Sequence, residues 1–351
     1  MTQPVVPFKS AQAAAADEQP AVQSGAAAWR SRLARPGVVQ NVVLVAVIGV
    51  LAAIFDSFNS GFLAPANINA IGQSAAVVGV LSVIETVVII CGVLDISVGA
   101  QAGVASVISA MVFSGTGSSV VSVLAAIGLG IVLGAVNGLV IVFGRVNSII
   151  ATLGTFSAYK GLALVVSGGQ SKGYVLGNSF YVFIARGALI GIPATIWIFA
   201  VVSAVLYVLL RFTDIGRNLY AIGGNDRAAR LAGININAYL IAIYALTGVV
   251  CAIAGIMITA SAGSAQPTTG QTGLELQAIT AAALGGALLT GGRGGIGGTV
   301  LAVLLISTLI NGLTFLAVNS FWENIAQGAM LIAAVTIQKM RSGERRVGRP
   351  T

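Results

Sequence analysis

Residues 119–142 read Ser-Val-Val-Ser-Val-Leu-Ala-Ala-Ile-Gly-Leu-Gly-Ile-Val-Leu-Gly-Ala-Val-Asn-Gly-Leu-Val-Ile-Val, a run without a single charged side chain. A helix needs about 20 apolar residues to cross the hydrocarbon core of a bilayer, so this run predicts a transmembrane helix. Gly130, Gly134 and Gly138 recur every four residues and therefore lie on one helix face, where a neighbouring backbone can approach closely. The spacing leaves open whether that neighbour belongs to this chain or to a second copy.

The composition of the whole chain is that of an integral membrane protein. Its 351 residues are 57% apolar and 8% charged, with a mean hydropathy of +0.97, whereas soluble domains carry about 25% charged residues. The chain has no histidine, which excludes a Ser-His-Asp triad and a His-ligated metal. Cys91 and Cys251 are too few for a Cys-rich metal site. We expect no metal site, and both cysteines are interpreted as packing residues.

Apolar runs of spanning length predict the fold class, an all-α, polytopic transmembrane helical bundle with about ten spans. The predicted spans are 38–55, 68–91, 97–113, 119–142, 149–166, 192–210, 239–261, 274–290, 296–317 and 321–338.

The distribution of Lys and Arg predicts how the spans are oriented. Cytoplasmic loops are enriched in these residues. With a cytoplasmic N-terminus, fifteen of the 18 basic residues fall inside, only Lys172 and Arg186 fall outside, and Lys160 lies within a span. Both termini are therefore expected in the cytoplasm. The formal net charge of +8 is interpreted as a topology signal, and nucleic acid is not an expected partner.

The spans divide the chain into three parts. Residues 1–37 are predicted to form a disordered cytoplasmic tail, 38–338 the transmembrane domain, and 339–351 a basic cytoplasmic tail that contacts anionic lipid headgroups. The outer loop at 167–191 is expected to hold a short surface helix. The inner loop at 211–238 is the longest and most charged cytoplasmic connection, and loops of this length are usually functional.

The chain lacks one common nucleotide-binding motif and contains a partial match to another. A phosphate-binding P-loop needs a Gly-Lys dipeptide, and the chain contains none, so we expect it to have no P-loop ATPase site and no bound cofactor of its own. A G-x-G-x-x-G pattern occurs at Gly292, Gly294 and Gly297, but it lies between two predicted spans rather than after a strand. It is interpreted as a tight cytoplasmic turn before a closely packed helix.

Ionisable residues within spans are costly and are candidates for function. Glu85 lies about 9 Å from the inner end of its span and either accepts hydrogen bonds from neighbouring helices or lines a wet path. Lys160 lies near the outer end of its own span and is interpreted as an interfacial anchor. The two differ in depth by roughly 12 Å, so no pairing between them is expected. Asp95 precedes an apolar helix and is either a plain N-cap or a cap that also borders a translocation path.

Several separated motifs resemble ribose/xylose-type ABC importer permeases, over roughly residues 60–338. They are Asp95-Ile-Ser-Val-Gly99, Gly134-Ala-Val-Asn-Gly-Leu-Val-Ile-Val-Phe-Gly-Arg145, Ile149-Ile-Ala-Thr-Leu-Gly-Thr155, Lys160-Gly-Leu-Ala163, Gly216-Arg-Asn-Leu-Tyr-Ala-Ile-Gly-Gly-Asn225, Ala228-Ala-Arg-Leu-Ala-Gly-Ile234, Ser264-Ala-Gln-Pro267, Gly285-Gly286 and Gly291-Gly292. The resemblance implies a multi-pass protein of the bacterial plasma membrane that imports a ribose- or xylose-like sugar. It also implies a second permease copy, forming a homodimer or heterodimer, a cytoplasmic ATPase subunit that binds ATP, and an external sugar-binding protein.

The resemblance gives the inner loop a role in coupling to the ATPase. Such importers present a short helix marked E-A-A-x-x-x-G, and Ala228-Ala229-x-x-x-Gly233 keeps that spacing with Arg227 in the Glu position. A second departure is Val93-Leu94 before Asp95, where family members often have Gly-Ile. The predicted coupling residues are Gly223, Gly224, Asn225, Asp226, Ala228, Ala229, Arg230 and Gly233.

Polar residues in the spans suit a path for a neutral, hydroxylated solute, although each could equally bridge two helices. The candidates are Gln73, Glu85, Asp95, Gln101, Asn137 and Gln277. The alternative function is a stand-alone secondary transporter or channel for a small polar solute. That function would need a paired, deep proton or ion site, for which the sequence offers only Glu85 as a deep acid.

Overall fold

The computed structural model of the protein describes residues 36–173, 175, 177–268, 273–319 and 321–342. Residues 1–35 of the predicted disordered tail and residues 343–351 of the predicted basic tail lie outside the described residues.

The described part of the chain is helical apart from one small hairpin. The helices are α1 (Pro36–Phe58), α2 (Pro65–Ile90), α3 (Val98–Thr116), α4 (Ser119–Gly144), α5 (Ser148–Ser167), α6 (Ser179–Arg186), α7 (Ala194–Phe212), α8 (Asp214–Gly224), α9 (Asp226–Leu231), α10 (Ile236–Ala262), α11 (Leu274–Leu284), α12 (Ile296–Phe315) and α13 (Phe321–Ser342). The antiparallel strands β1 (Ala188–Leu189) and β2 (Ile192–Pro193) form the hairpin between α6 and α7.

Eight described helices are long and apolar enough to cross a membrane, and each corresponds to one of the ten predicted spans. They are α1, α2, α3, α4, α5, α7, α10 and α12.

The predicted span 274–290 is wrong in its extent. The helix α11 ends at Leu284 because Gly285 and Gly286 follow, and Gly286 takes a φ of +98° that favours glycine. Eleven residues of helix are about 16 Å long, roughly half of a bilayer core. The remaining predicted span, 321–338, corresponds to α13, which is not among the eight apolar helices because Glu323, Asn324 and Gln327 dilute its first turns.

The helices form a buried centre and an outer layer. Most side chains of α2, α3 and α10 are buried inside the chain, whereas α1, α4, α5 and α7 leave most of their apolar side chains on the outside. Apolar outward faces of this kind suit contact with lipid, since lipid chains are as apolar as the side chains themselves.

The glycine face of α4 packs against α10 of the same chain, which confirms the predicted close packing. The neighbouring helix therefore belongs to this chain rather than to a second copy. A methyl group at Gly130 would overlap the carbonyl oxygen of Gly248, and one at Gly134 would overlap that of Tyr244. A methyl group at Gly138 would lie 2.8 Å from the Cα of Ile241. Since real Cβ atoms do not approach so closely, glycine is required at all three positions.

The connecting segments meet at two opposite ends of the bundle. At one end, the backbone of Lys172 pairs with that of Ala265, and Asn67 donates a hydrogen bond to Asn311. At the other end, Gly92 lies against Gly223. The predicted short helix in 167–191 is α6, and the inner loop 211–238 contains the two short helices α8 and α9.

The G-x-G-x-x-G pattern lies in a tight turn, as predicted. The described element directly before it is the helix α11 and not a strand, and Gly292 and Gly294 fall between α11 and α12. The turn is closed by a hydrogen bond from the N–H of Leu288 to the carbonyl oxygen of Arg293 at 2.9 Å.

Candidate functional site

A non-helical turn at residues 91–97, in which Cys91, Asp95 and Ser97 are buried, joins α2 to α3. Its backbone groups are satisfied by side chains of other helices: Ser148 Oγ accepts from the N–H of Leu94 at 3.3 Å, and Thr152 Oγ1 accepts from that of Ile96 at 3.1 Å. The hydroxyl of Tyr244 donates to the carbonyl oxygen of Leu94 at 2.8 Å. Irregular backbone away from water needs such partners, so the turn is held in place by α5 and α10.

Asp95 is the centre of a hydrogen-bond network in this turn. Its Oδ1 accepts from the backbone N–H of Ser97 at 2.8 Å and from the Ser97 hydroxyl at 2.6 Å. Its Oδ2 accepts from Nε2 of Gln101 at 3.1 Å. The N-cap residue of α3 is Ser97, so the predicted N-cap position of Asp95 is corrected by two residues. Asp95 instead satisfies the N–H of Ser97 through the local turn that aspartate favours.

Asn137 extends this network to two further helices. Its Nδ2 donates to the Ser97 hydroxyl at 2.8 Å and to Oδ2 of Asp95 at 3.4 Å. Its Oδ1 accepts from the hydroxyl of Tyr159 at 3.1 Å, and that hydroxyl also donates to the carbonyl oxygen of Leu133 at 2.8 Å. The Asp95 network therefore ties the turn and α3 to α4 and α5.

Glu85 joins the same site from α2. Its Oε1 accepts from the backbone N–H of Asp95 at 3.2 Å, and its Oε2 has no hydrogen-bond partner among the described residues. Within that part of the chain the only ion pair joins Arg217 to Asp214, so Glu85 has no cationic partner. Lys160 lies over the ring of Phe156, 4.8 Å from its centroid, so the expectation that Glu85 and Lys160 do not pair is confirmed.

The structure brings together four of the six predicted path residues. Glu85, Asp95, Gln101 and Asn137 are all fully buried and belong to one site. Gln73 is exposed on α2. Gln277 lies elsewhere, where its Nε2 donates to Oε1 of Gln327 at 3.3 Å and links α11 to α13.

Several members of the network were missed by reading the sequence. Ser97 carried a usable signal, since a hydroxyl two residues after an aspartate is a common turn pattern. Tyr159 and Tyr244 carried none, because a tyrosine in an apolar helix looks like a packing residue until its hydroxyl finds a partner.

The second candidate site is the inner loop, in which side chains cap each short helix. Oγ1 of Thr213 accepts from the N–H of Gly216 at 3.2 Å at the start of α8, and Oδ1 of Asn225 accepts from that of Ala228 at 3.0 Å at the start of α9. Gly233 follows with a φ of +83°, which a side chain would strain.

The predicted coupling residues divide between exposed and inward-facing positions. Ala229 is only 4% exposed, and Gly223 lies against the end of α2. The exposed ones are Gly224, Asn225, Asp226, Ala228, Arg230 and Gly233.

Leu231 at the end of α9 was not predicted as a site residue, yet its side chain is 91% exposed. Leu231 is the one large apolar side chain exposed on α9, where it lies beside the exposed Arg227 and Arg230. The signal in the sequence was available, since Leu231 lies within the segment that matches the coupling motif.

Eight helices apolar and long enough to span a bilayer, packed around a polar turn, define an integral membrane protein. Residues 67–335 match the family described as the branched-chain amino acid transport system / permease component, and the chain belongs to that family.

Relatives in three bacteria are similar over most of their length. The ribose import permease protein of Bacillus subtilis is 37% identical, covering 89% of this chain and 97% of the relative. The D-allose transport system permease protein of Escherichia coli is 31% identical, covering 84% and 90%. The L-arabinose ABC transporter permease protein of Azospirillum brasilense is 31% identical, covering 89% and 92%. No solved structure matches the chain significantly.

These similarities confirm the resemblance to ribose-type ABC importer permeases. The chain is a multi-pass protein of the plasma membrane, as predicted, and by its family it is a permease component of a transport system. The family description refers to amino acids, whereas the three relatives are named for sugars.

Proposed function

We propose that this chain is the membrane-spanning subunit of an ATP-binding cassette importer that moves a ribose-like monosaccharide inward. The similarity to sugar permeases along nearly the whole chain carries this proposal. ATP is bound and hydrolysed by a separate cytoplasmic subunit, which agrees with the absence of a Gly-Lys dipeptide from the sequence.

In this proposal ten segments enter the membrane and both termini are cytoplasmic. The eight apolar helices are completed by the short helix α11 and by α13. The end that carries Arg145, the loop 211–238 and the turn 285–295 is cytoplasmic, since basic residues are retained on that side.

The ATPase subunit docks on α9 and its flanks. Leu231 is the apolar anchor, because burying a leucine side chain contributes about 1.5–3 kcal/mol. The neighbouring Arg230 is exposed and offers its charge to acidic groups on the ATPase. Ala229 supports this surface from within, since it is buried in the loop itself.

An external sugar-binding protein docks at the opposite end, and a second permease subunit completes the path. The hairpin β1–β2 presents Ile190 at that end with 93% of its side chain exposed. The Asp95 network borders the path in a closed state, and its amide groups exchange partners with sugar hydroxyls when the path opens.

One observation favours the second candidate, a stand-alone secondary transporter. The structure places Asp95 beside Glu85, which supplies the paired deep acid that the sequence alone did not offer. Sugar uptake by reconstituted vesicles decides between the two. Uptake of D-ribose, D-allose or L-arabinose should require ATP, the ATPase and the binding protein, and full uptake without the ATPase would overturn the importer.

The docking surface is tested by copurification with the ATPase. Leu231→Asp should abolish copurification while the protein keeps its melting temperature, because the side chain makes little contact within this chain. Ile190→Asp is the matched control at the opposite end, with an equally exposed side chain, and it should retain the ATPase. Retention of the ATPase by Leu231→Asp would exclude α9 as the docking element.

A further inference from the structure

Four glycines from three separate segments meet where the inner loop touches the bundle. They are Gly92 after α2, Gly223 in α8, and Gly291 and Gly292 in the turn between α11 and α12. Here they are called the glycine junction. A hydrogen bond from the N–H of Gly292 to the carbonyl oxygen of Ile90, at 2.9 Å, joins two of the three segments directly.

The junction leaves no room for a side chain at Gly223 or Gly291. A methyl group at Gly223 would overlap the carbonyl oxygen of Ile90 and lie 2.7 Å from the nitrogen of Gly292. A methyl group at Gly291 would lie 2.7 Å from both the Cα of Gly92 and the carbonyl oxygen of Gly223. Packed backbones of this kind transmit displacement, since no flexible side chain lies between them.

The adjacent residue Gly224 behaves differently. A methyl group there would have no atom within 4 Å. The backbone of Gly224 nevertheless lies against Gly292, where an added methyl group would be 2.7 Å from the Cα of Gly224. Both glycines therefore contact the turn, but of the two only Gly223 lacks room for a side chain.

A second contact from α8 reaches the same turn. The hydroxyl of Tyr220 donates to the carbonyl oxygen of Gly294 at 2.9 Å. The helix α8 thus contacts the end of α2 through Gly223 and the turn after α11 through Tyr220.

The junction leads directly to the Asp95 network. Gly92 begins the turn that contains Asp95, and Asp95 is hydrogen-bonded, directly or through Ser97, to side chains of α3 and α4. We propose that the glycine junction is the joint through which movement of the loop α8–α9 is passed to turn 91–97 and from there to the transmembrane helices. This proposal rests on the proposed function, because it assigns the route by which ATP hydrolysis in the partner is coupled to transport.

The test compares Gly223→Ala with Gly297→Ala in the complete complex with ATPase and binding protein. The measured quantity is the number of D-ribose, D-allose or L-arabinose molecules taken up per ATP hydrolysed. We expect Gly223→Ala to lower this ratio about tenfold while ATP hydrolysis continues. Gly297→Ala should keep the wild-type ratio, since a methyl group at this first-turn position of α12 would have no atom within 4 Å. An unchanged ratio in Gly223→Ala would overturn the proposal.

Tyr220→Phe covers the case in which Gly223→Ala does not assemble with the ATPase. It removes one hydrogen bond without adding an atom, and we expect a ratio about threefold below wild type. If Gly223→Ala does not assemble and Tyr220→Phe takes up as many sugar molecules per ATP as wild type, the proposal that the glycine junction transmits movement is rejected. Failure of the proposed function is distinguishable, since the wild-type complex itself would then show no ATP-dependent uptake.

Discussion

The backbone N–H of Asp95 donates a hydrogen bond to Oε1 of Glu85 at 3.2 Å, so two acidic residues from adjacent segments share one buried site. Asp95 is surrounded by donors from Ser97, Gln101 and Asn137. Glu85 makes the one bond to the turn, and its other oxygen has no partner in the described part of the chain. Asp95 thus organises the network, while Glu85 holds the backbone of the turn to α2.

Removing the Glu85 acceptor should destabilise the protein more than replacing it by an amide. Glu85→Ala leaves the N–H of Asp95 buried without a partner, which costs about 1–3 kcal/mol. The amide oxygen of Glu85→Gln still accepts that bond, so its loss should be smaller. Melting temperatures in detergent measure both, and equal losses in the two variants would show that this bond is not the stabilising contact.

A carboxylate at position 137 should be disruptive, because Nδ2 of Asn137 donates to Asp95 and Ser97. Asn137→Asp replaces this donor by an acceptor beside a carboxylate, and hydrogen bonds to charged groups contribute about 1.5–3 kcal/mol each. Asn235→Asp is the matched control, since Oδ1 of Asn235 only accepts a hydrogen bond from Ala238 at the start of α10. Thermal unfolding should show a lowered melting temperature for Asn137→Asp alone.

The contact between α4 and α10 should not tolerate a methyl group. Gly134→Ala would overlap the carbonyl oxygen of Tyr244, and overpacking of this kind costs about 1–3 kcal/mol. Gly128→Ala lies on the same helix with no atom within 4 Å of the added methyl, and it should be neutral or gain up to about 1 kcal/mol of helix propensity. Equal melting temperatures for the two variants would contradict the helix contact.

The hydrogen bond from Tyr220 to Gly294 should stabilise the protein across the physiological pH range. Burial raises the pKa of the Tyr220 hydroxyl above its ordinary value of 10.0, and the nearby charge of Arg211 opposes this shift in part. Because the folded pKa is the higher one, the contribution is complete below about pH 10 and is lost as pH rises through the folded value.

Tyr220→Phe should therefore lower the free energy of unfolding by about 0.5–1.5 kcal/mol, equally at pH 7 and pH 9. The measurement is the difference in melting temperature between variant and wild type at each pH. A difference that disappears at pH 9 would mean that the hydroxyl has already ionised and that burial does not protect it.

Eight of the ten predicted spans are helices of spanning length, because an uninterrupted apolar run has few other ways to satisfy its backbone in lipid. The span 274–290 was mispredicted because apolarity was counted through Gly285 and Gly286, where the backbone leaves the helix. The close-packed face of α4 could also be predicted from the sequence, because glycines four residues apart lie on one face of a helix whichever element packs against it.

The functional residues were predicted less completely. Glu85, Asp95, Gln101 and Asn137 were chosen as polar side chains in spans, and the structure shows that these four meet while Gln73 and Gln277 lie elsewhere. A polar side chain in a span indicates that a hydrogen-bonding partner is needed, but the sequence does not show which residue supplies it. Tyr159 and Tyr244 were missed for the same reason, because the partner of a hydroxyl is chosen by packing between helices distant in sequence.

The sequence by itself determined the membrane class, the approximate spans, the exclusion of a P-loop and the motifs that lead to the permease family, since these depend on composition and local order. Only the tertiary structure decided that α4 packs on α10, that Glu85 and Asp95 share a site, and that Gly223 meets Gly92 and Gly292. Such contacts depend on the relative rotation and depth of helices far apart in the chain, which steric fit and hydrogen bonding fix only when the whole bundle is assembled.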